Sequence, residues 1–264
     1  MSDSTGPRAD YGLDAPKVVR NLFVGGAVGL LVWGSAAAGL WSGVATIPAG
    51  GGEIRIGLAA TGLWCGMGLL LTGCWMVWDS RIGKVAGRER LLGRIAWRGD
   101  EQVLDLGCGR GLMLVGAAKR LTTGKATGID LWQAEDLSGN RPEATLENAQ
   151  REGVESRVDI KTGDMRRLPF ADNAFDVVVS RAAIHNLYNS DDRAAAIREV
   201  ARVLKPGGQA LIDDIRHHGE YAATFARHGC TDIQRIDSRA ISLLCTVITM
   251  GSLRPGTLLV RKAG

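Results

Sequence analysis

At 264 residues, with 45% hydrophobic and 23% charged side chains, the chain is long enough for one ordinary globular domain and an additional segment. Its net charge of +4 is local: Arg81, Lys84, Arg88, Arg90, Arg94 and Arg98 face one acid, Glu89, and a basic cluster directly after an apolar run argues for anionic lipid headgroups over nucleic acid. The five cysteines show no paired spacing, so neither a disulfide framework nor a metal site is expected, and Cys65, Cys74, Cys108, Cys230 and Cys245 read as free thiols in a reducing compartment.

Residues 1–20 are polar, contain Pro and Gly and lack a sustained period, which predicts a flexible tail. Residues 21–79 then read as a membrane hairpin. Leu22–Val44 and Ile56–Trp78 are each 23 residues without a charge, and at about 1.5 Å per residue each crosses a hydrocarbon layer of about 30 Å. A buried hairpin in a soluble core is the alternative, but core helices rarely stay apolar on every face for that length. Two spans place both ends on one side, and the basic run after Trp78, with Lys17 and Arg20 before the first span, makes that side cytoplasmic. Five of the seven tryptophans fall within this region. The linking segment IPAGGGEIR reads as a short turn. Small residues recur every four positions, as Ser35, Gly39, Gly43 and as Gly62, Gly66, so that helix backbones can approach closely. That spacing leaves pairing within the hairpin and homo-oligomer pairing through the spans both open.

Residues 80–99 place Ile82, Val85, Leu91, Leu92 and Ile95 mostly on one helical face with arginines elsewhere, as in a basic amphipathic helix at the membrane surface. It can equally be the first helix of the domain that follows. From residue 100 to 264 strand-like runs (102–106, 126–130, 158–161, 175–180, 209–213, 257–260) alternate with helical ones (112–121, 142–152, 191–204, 220–227). The alternation predicts an α/β fold, a mostly parallel sheet with helices on both faces.

The sharpest motif is VLDLGCGRG, Val103–Gly111, in which a buried strand runs into Gly107, Gly109 and Gly111 and then a helix. Glycines there let a ligand approach the backbone, and the helix start offers free N–H groups. The glycines run as GxGxG, not the GxGxxG of dinucleotide enzymes, which argues against a nucleotide-dependent reductase. Asp130 ends the next strand nineteen residues after Gly111, where a carboxylate can accept hydrogen bonds from both hydroxyls of a ribose. The third strand leads to Gly163–Asp164–Met165, and EVARVLKPGGQALIDD reads as helix, tight Pro206–Gly207–Gly208 turn and strand.

Together these signatures resemble the class I S-adenosylmethionine-dependent methyltransferases (EC 2.1.1.-), within the broad group of ubiquinone- and menaquinone-type methylases. The resemblance implies a Rossmann-like seven-stranded sheet with an antiparallel last strand, the stretch from Ile241 to Lys262 supplying its final hairpin. It implies S-adenosyl-L-methionine as cofactor, with Gly107, Gly109 and Gly111 around its methionine part and Asp105 near its amino group. Asp130 would take the ribose and Asp164 with Met165 the adenine; Cys108, Leu131, Gly163 and Ser180 complete the expected surroundings, Cys108 mainly as a small packing residue.

On the acceptor side, SRAAIHNLYN follows the fourth strand, with His185, Asn186 and Tyr188 as its polar groups. A base is needed only where the acceptor must lose a proton, and His185 is the candidate. The segment from Leu131 to Arg141 is longer than the usual strand–helix connection; Trp132 in it either lines a pocket or packs, and Glu135 and Asp136 can be solvated. The expected function is methylation of a lipid, quinone-like or other lipophilic acceptor at the cytoplasmic face of a bilayer. A small hydrophobic thiol or amine as acceptor, or a membrane scaffold that binds cofactor without turnover, would carry the same motifs.

Overall fold

The computed structural model describes residues 9–133, 137–236 and 254–264. Two compact units emerge, one built on Gly12–Lys84 and the other on Val85–Gln133 and Gly139–Gly264, to which residues 9–11 also belong.

In the first unit, helix α1 (Pro16–Ala37) and helix α2 (Leu58–Trp78) pack as an antiparallel pair, joined by strands β1 (Ala45–Ala49) and β2 (Gly52–Ile56). The first helix begins six residues before the expected span, because Pro16 suits the first helical turn, and it stops before Gly39, which takes a φ of 76°. The expected short turn is an antiparallel β-hairpin, Ile47 opposite Ile54, reversing at Gly50–Gly51. Glycines set the helix contact: a Cβ at Gly29 would lie 2.6 Å from the Gly62 carbonyl oxygen, and one at Gly62 would lie 2.7 Å from that of Gly29. Gly26 and Gly66 meet in the same way. The Gly62/Gly66 spacing is thus used within the hairpin, against Gly26 and Gly29 and not against the Ser35–Gly39–Gly43 series. Ser35 instead accepts a hydrogen bond from the Trp41 indole at 2.9 Å.

The outward faces of this pair are apolar. Leu31 is 72% exposed, Trp64 69% and Leu71 66%, and only 11% of each apolar window is buried. A core helix of a soluble protein would show the reverse. Both helices are long and apolar enough to cross a bilayer.

The second unit holds a seven-stranded sheet in the order β5–β4–β3–β6–β7–β9–β8. The strands are β3 (Gln102–Leu106), β4 (Lys125–Asp130), β5 (Val158–Thr162), β6 (Phe175–Arg181), β7 (Leu204–Asp214), β8 (Cys230–Arg235) and β9 (Gly256–Lys262). The first five are parallel, and β9 runs antiparallel between β7 and β8. Helices α3 (Lys84–Leu92), α4 (Leu112–Ala118), α5 (Pro142–Arg151), α6 (Ser190–Val203) and α7 (His218–Arg227) accompany it. Central strands are apolar on both sides, so Val103, Leu104, Val178, Val179, Ala210 and Leu211 are completely buried in two core clusters, as a sheet with two covered faces requires.

Four sequence expectations change here. The partner of the last strand is Cys230–Arg235; the expected Ile241–Cys245 portion of the hairpin lies outside the described residues, as do Glu135 and Asp136. The Pro206–Gly207–Gly208 turn is a bulge inside β7: Phe175 pairs with Leu204 and Val177 with Gln209, so Lys205–Gly208 stand out of register opposite Asp176. The amphipathic helix of residues 80–99 is helical only to Leu92, following a π turn at Asp79–Gly83, and two of its cations are buried. Lys84 pairs with Asp14 at 3.0 Å; Arg88 pairs with Glu89 at 2.8 Å and Glu152 at 3.3 Å. Burying unpaired charge is costly, so these cations serve folding and not lipid attraction. Ile82, by contrast, is exposed.

The tail over residues 1–20 is also corrected in its described part. Tyr11 is buried, its hydroxyl hydrogen-bonds to Glu152 at 2.5 Å and accepts from Arg88 at 2.9 Å, and the Arg88 guanidinium stacks over its ring. Burial and the neighbouring Glu152 push the Tyr11 phenol far above its usual range, so it stays neutral. Tyrosine supplies apolar area that a polar tail lacks, and beside it the Asp10 backbone exchanges two hydrogen bonds with the Asn148 side chain at 2.9 and 2.8 Å.

Candidate active site

The parallel strands end on one edge of the sheet, and the sequence-selected residues cluster there. Leu106 aligns with Ile129, Asp130 with Thr162 and Arg181 with Asp213. Gly107 and Cys108 donate backbone hydrogen bonds to the Ile129 carbonyl at 2.9 and 3.2 Å, which locks the glycine turn to β4. Gly107, Gly109 and Gly111 all have positive φ (70°, 52° and 83°), a region that side chains disfavour. A Cβ at Gly107 would overlap the Ala183 side chain and touch Met165, so these three residues adjoin.

Asp130 organises the ribose side. Its carboxylate accepts from the Gly109 N–H at 2.8 Å, the Trp132 N–H at 2.6 Å and the Asn140 amide at 3.3 Å. A carboxylate has about four acceptor positions, so one remains beyond these among the described residues. Asn140 also donates to the Gln133 carbonyl at 3.0 Å, while its own side-chain oxygen is buried with no partner among the described residues. A buried acceptor left without a donor costs about 1–3 kcal/mol. Thr145 and Asn148, both fully buried on α5, hold the turn from behind by bonding the Gly109 and Arg110 carbonyls at 2.6 and 2.9 Å.

Asp105 is buried under the turn and accepts from the Leu114 N–H at 2.8 Å. Burial pushes its carboxyl up to about 8, with the Asp130 charge adding to the rise, so in the free protein it is largely protonated at neutral pH. Cys108 packs on Gly128, where an added Cβ would lie 2.8 Å from its sulfur, and burial raises its thiol well above the normal value. It is a packing residue.

Other selected residues are placed differently. The Ser180 hydroxyl is used in the sheet, donating to the Leu106 carbonyl at 2.9 Å. Asp164 is engaged by Arg166 through bonds of 2.6 to 3.1 Å, which hold its carboxyl below the usual range, and Arg166 also reaches Asp192. Gly163 donates to the Asp130 carbonyl at 3.1 Å, and Leu131 is exposed. Trp132, at a φ of 60°, bonds Thr162 through its indole at 2.8 Å. Asn186 closes a short 3-10 turn, Ile184–Asn186, and Tyr188 is 99% exposed.

His185 stands in that turn, two residues after Ala183. Its Nδ1 lies 2.6 Å from the Asp214 carboxylate, which also accepts from the His185 N–H at 3.1 Å, the Ile215 N–H at 2.8 Å and the Tyr221 hydroxyl at 3.1 Å. Asp214 is almost fully buried, so its orientation is fixed. Burial and the Asp214 charge drive the Tyr221 phenol far upward, keeping it a donor. A carboxylate at Nδ1 favours the tautomer with its proton there and leaves Nε2 as the acceptor. The loop itself is held by Arg193, which donates to the Leu187 and Tyr188 carbonyls at 2.8 and 3.0 Å and pairs with Glu220. Sequence reading found His185 but missed Asp214, although Asp213–Asp214 ends β7 as Asp130 ends β4. It also missed Asn140, Thr145 and Asn148, which carry no motif.

Over residues 104–212 the chain matches the family described as "Methyltransferase domain". This part of the chain is an S-adenosylmethionine-dependent methyltransferase domain. It is similar to the methyltransferase GfsG of Streptomyces halstedii, 35% identical over 127 residues that cover 48% of this chain and 42% of that protein. The ubiquinone/menaquinone biosynthesis C-methyltransferase UbiE of Roseobacter denitrificans is 31% identical over 125 residues, covering 47% and 46%. The chain thus spans less than half the length of these relatives. A solved geranyl diphosphate C-methyltransferase from Streptomyces coelicolor, in complex with Mg2+, geranyl diphosphate and S-adenosyl-L-homocysteine, superposes with a TM-score of 0.52 at 20% identity over 68% of this chain and 79% of that one. At that identity the likeness establishes the fold of the methyltransferase domain. The residues at this edge of the sheet fit the cofactor: backbone glycines for close approach, and at Asp130 an acceptor position that the described protein groups leave unfilled.

Proposed function

We propose that the protein methylates a lipid, quinone-like or other lipophilic acceptor at a membrane surface, with the α1–α2 hairpin embedded in the bilayer and the methyltransferase domain and both termini cytoplasmic. The observation that carries this reading is the outward apolar face of the hairpin, left uncovered by any described part of the chain and rimmed by Trp33 near one end and Trp75 and Trp78 at the other. Tryptophans at both ends suit the two membrane interfaces. The 31%-identical relative whose name specifies a quinone C-methyltransferase supports the acceptor class.

When bound, the cofactor supplies an electrophilic methyl group on a sulfonium, and holding donor and acceptor in line provides much of the acceleration. Asp130 fixes the ribose, and Gly107, Gly109 and Gly111 surround the methionine part. Asp105 faces the amino cation. His185 takes a proton from the acceptor at Nε2, with Asp214 holding the ring. The test is methyl transfer itself: membrane extract given methyl-labelled cofactor and the full-length protein should yield a labelled apolar product by mass spectrometry. Label confined to water-soluble products would refute the acceptor class.

Two consequences concern the cofactor. Asp130→Ala should weaken S-adenosylhomocysteine binding by about 1.5–3 kcal/mol, the range for hydrogen bonds to a charged group. Unchanged affinity in a folded variant, by calorimetry, would remove Asp130 from the ribose site. The second concerns pH. Below about 8 the free Asp105 carboxyl holds a proton, whereas an amino cation beside it favours the carboxylate. Binding therefore releases a proton, and affinity should rise with pH up to about 8 and then level. Calorimetry in buffers of different ionisation enthalpy measures the release; zero protons at pH 6.5 would separate Asp105 from the amino group.

A further inference from the structure

We infer that the segment before α1 is a clamp on the glycine turn: Asp10 positions Arg110, the side chain carried between Gly109 and Gly111, so that docking of residues 9–11 and binding of S-adenosylmethionine strengthen each other. The inference rests on the placement of the cofactor at that turn, proposed above. Gly109 and Gly111 stand at φ of 52° and 83°. Glycine gives up more conformational freedom on ordering than any other residue, so a turn written GxGxG depends on holds from outside it. Asp130 and Thr145 grip Gly109. Arg110 is gripped by the N-terminal segment.

Asn148, fully buried on α5, accepts from the Asp10 N–H at 2.9 Å and donates to the Asp10 carbonyl at 2.8 Å and the Arg110 carbonyl at 2.9 Å, so one amide bridges segment and turn. The Arg110 guanidinium, its side chain 12% exposed, closes the ring by donating to the Asp10 carboxylate at 2.9 Å. An ion pair with an exposed partner is weak by itself. Here it joins the same two residues as the buried amide and so fixes where Arg110 points. Tyr11 follows, buried against Arg88 and Glu152, which ties the segment to α3 and α5. With residues 9–11 undocked, Arg110 loses the Asp10 carboxylate, Asn148 loses its two bonds to Asp10, and the turn relaxes before the cofactor arrives. A ligand that binds the ordered turn better must favour the docked segment by the same factor. The chain runs on from Tyr11 to Pro16, the start of α1, so the lead-in to the proposed membrane helix is what holds the cofactor turn.

The test uses the full-length protein in detergent, with S-adenosylhomocysteine affinity read by calorimetry and amide exchange by deuterium uptake. Tyr11→Ala, which frees the segment, should weaken binding about tenfold. Asp10→Ala, which removes only the ion pair, should weaken it about threefold, an effect that shrinks as salt rises. Reciprocity fixes the second readout: in the wild type, saturating ligand should slow exchange of the Asp10 N–H by the factor that Tyr11→Ala costs in affinity, and no further. Slowing that keeps growing with ligand concentration belongs to unfolding of the whole domain and overturns the inference, as does an Asp10 amide indifferent to ligand. Parental affinity in a folded Tyr11→Ala variant also overturns it, leaving Tyr11 a residue of stability alone; if that variant does not fold, the exchange measurement on the wild type decides. Asp130→Ala separates the clamp from the cofactor's placement. Where Asp130→Ala weakens binding and Tyr11→Ala does not, the clamp alone falls; where neither does, the cofactor lies away from this turn.

Discussion

Replacing His185 with alanine is expected to lower turnover by about 10²-fold or more while leaving S-adenosylhomocysteine affinity unchanged. The imidazole makes no hydrogen bond to the glycine turn, Asp130 or Asn140, so its removal does not touch the proposed ribose site. Its described polar contact is Asp214, 2.6 Å from Nδ1, and Asp214 keeps its bonds from the Ile215 N–H and Tyr221 when the ring is gone. Asp214→Asn should reduce turnover by a smaller factor, because the ring remains but loses the carboxylate that orients it. The two variants together should be less than additive, since both act through one proton transfer. The acidic limb that a protonatable base gives to the pH–rate profile should vanish in His185→Ala. A normal rate with an unaltered profile would reduce His185 to a loop residue, and the acceptor would then be one that needs no deprotonation.

The strands and glycine turn were legible in the sequence because they are local. A buried strand entering GxGxG, and an acid closing the next strand, require only short-range spacing, and β3, β4 and β6 were read to within two residues of their observed ends. The residues that missed detection act across the chain. Asp214 reaches His185 over 29 positions, and Asn148 joins Arg110 over 38. Neither carries a distinguishing neighbour. Strand β8, CTDIQR, escaped notice because a mostly exposed edge strand lacks the apolar run that marks central ones. Hydropathy found the helical hairpin but misplaced the first helix, since the window followed absence of charge while Pro16 and Gly39 set its ends. Tyr11 was lost for a related reason: a single docked aromatic gives no period.

Substituting a short Gly/Ser linker for the hairpin is expected to separate anchorage from chemistry. The chain enters and leaves the hairpin at neighbouring points, with the Asp14 N–H donating to Ser80 at 3.2 Å, so a few residues can join Asp14 to Asp79. This variant keeps residues 9–11 and should bind S-adenosylhomocysteine with parental affinity, since no span residue contributes to the glycine turn or to Asp130. Removing residues 1–79 outright is a harsher change. It takes away Tyr11 and should cost about 3 kcal/mol of stability, as loss of a buried aromatic does, leaving Arg88 and Glu152 with a lost partner. Activity toward a lipophilic acceptor in vesicles should fall about 10²-fold or more in the linker variant, because the anchor supplies effective concentration at the surface. Release from membranes should be partial. Arg81, Arg90, Arg94 and Arg98 remain exposed, and each is worth about 1 kcal/mol near an anionic surface, whereas buried Lys84 and Arg88 add nothing. That residual attachment should weaken as salt rises, since screening acts on exposed charge. Loss of cofactor binding in a folded linker variant would make the helices part of the active site. Full activity on vesicle-borne acceptor, with the anchor gone and salt high, would show that the acceptor reaches the methyltransferase domain through water.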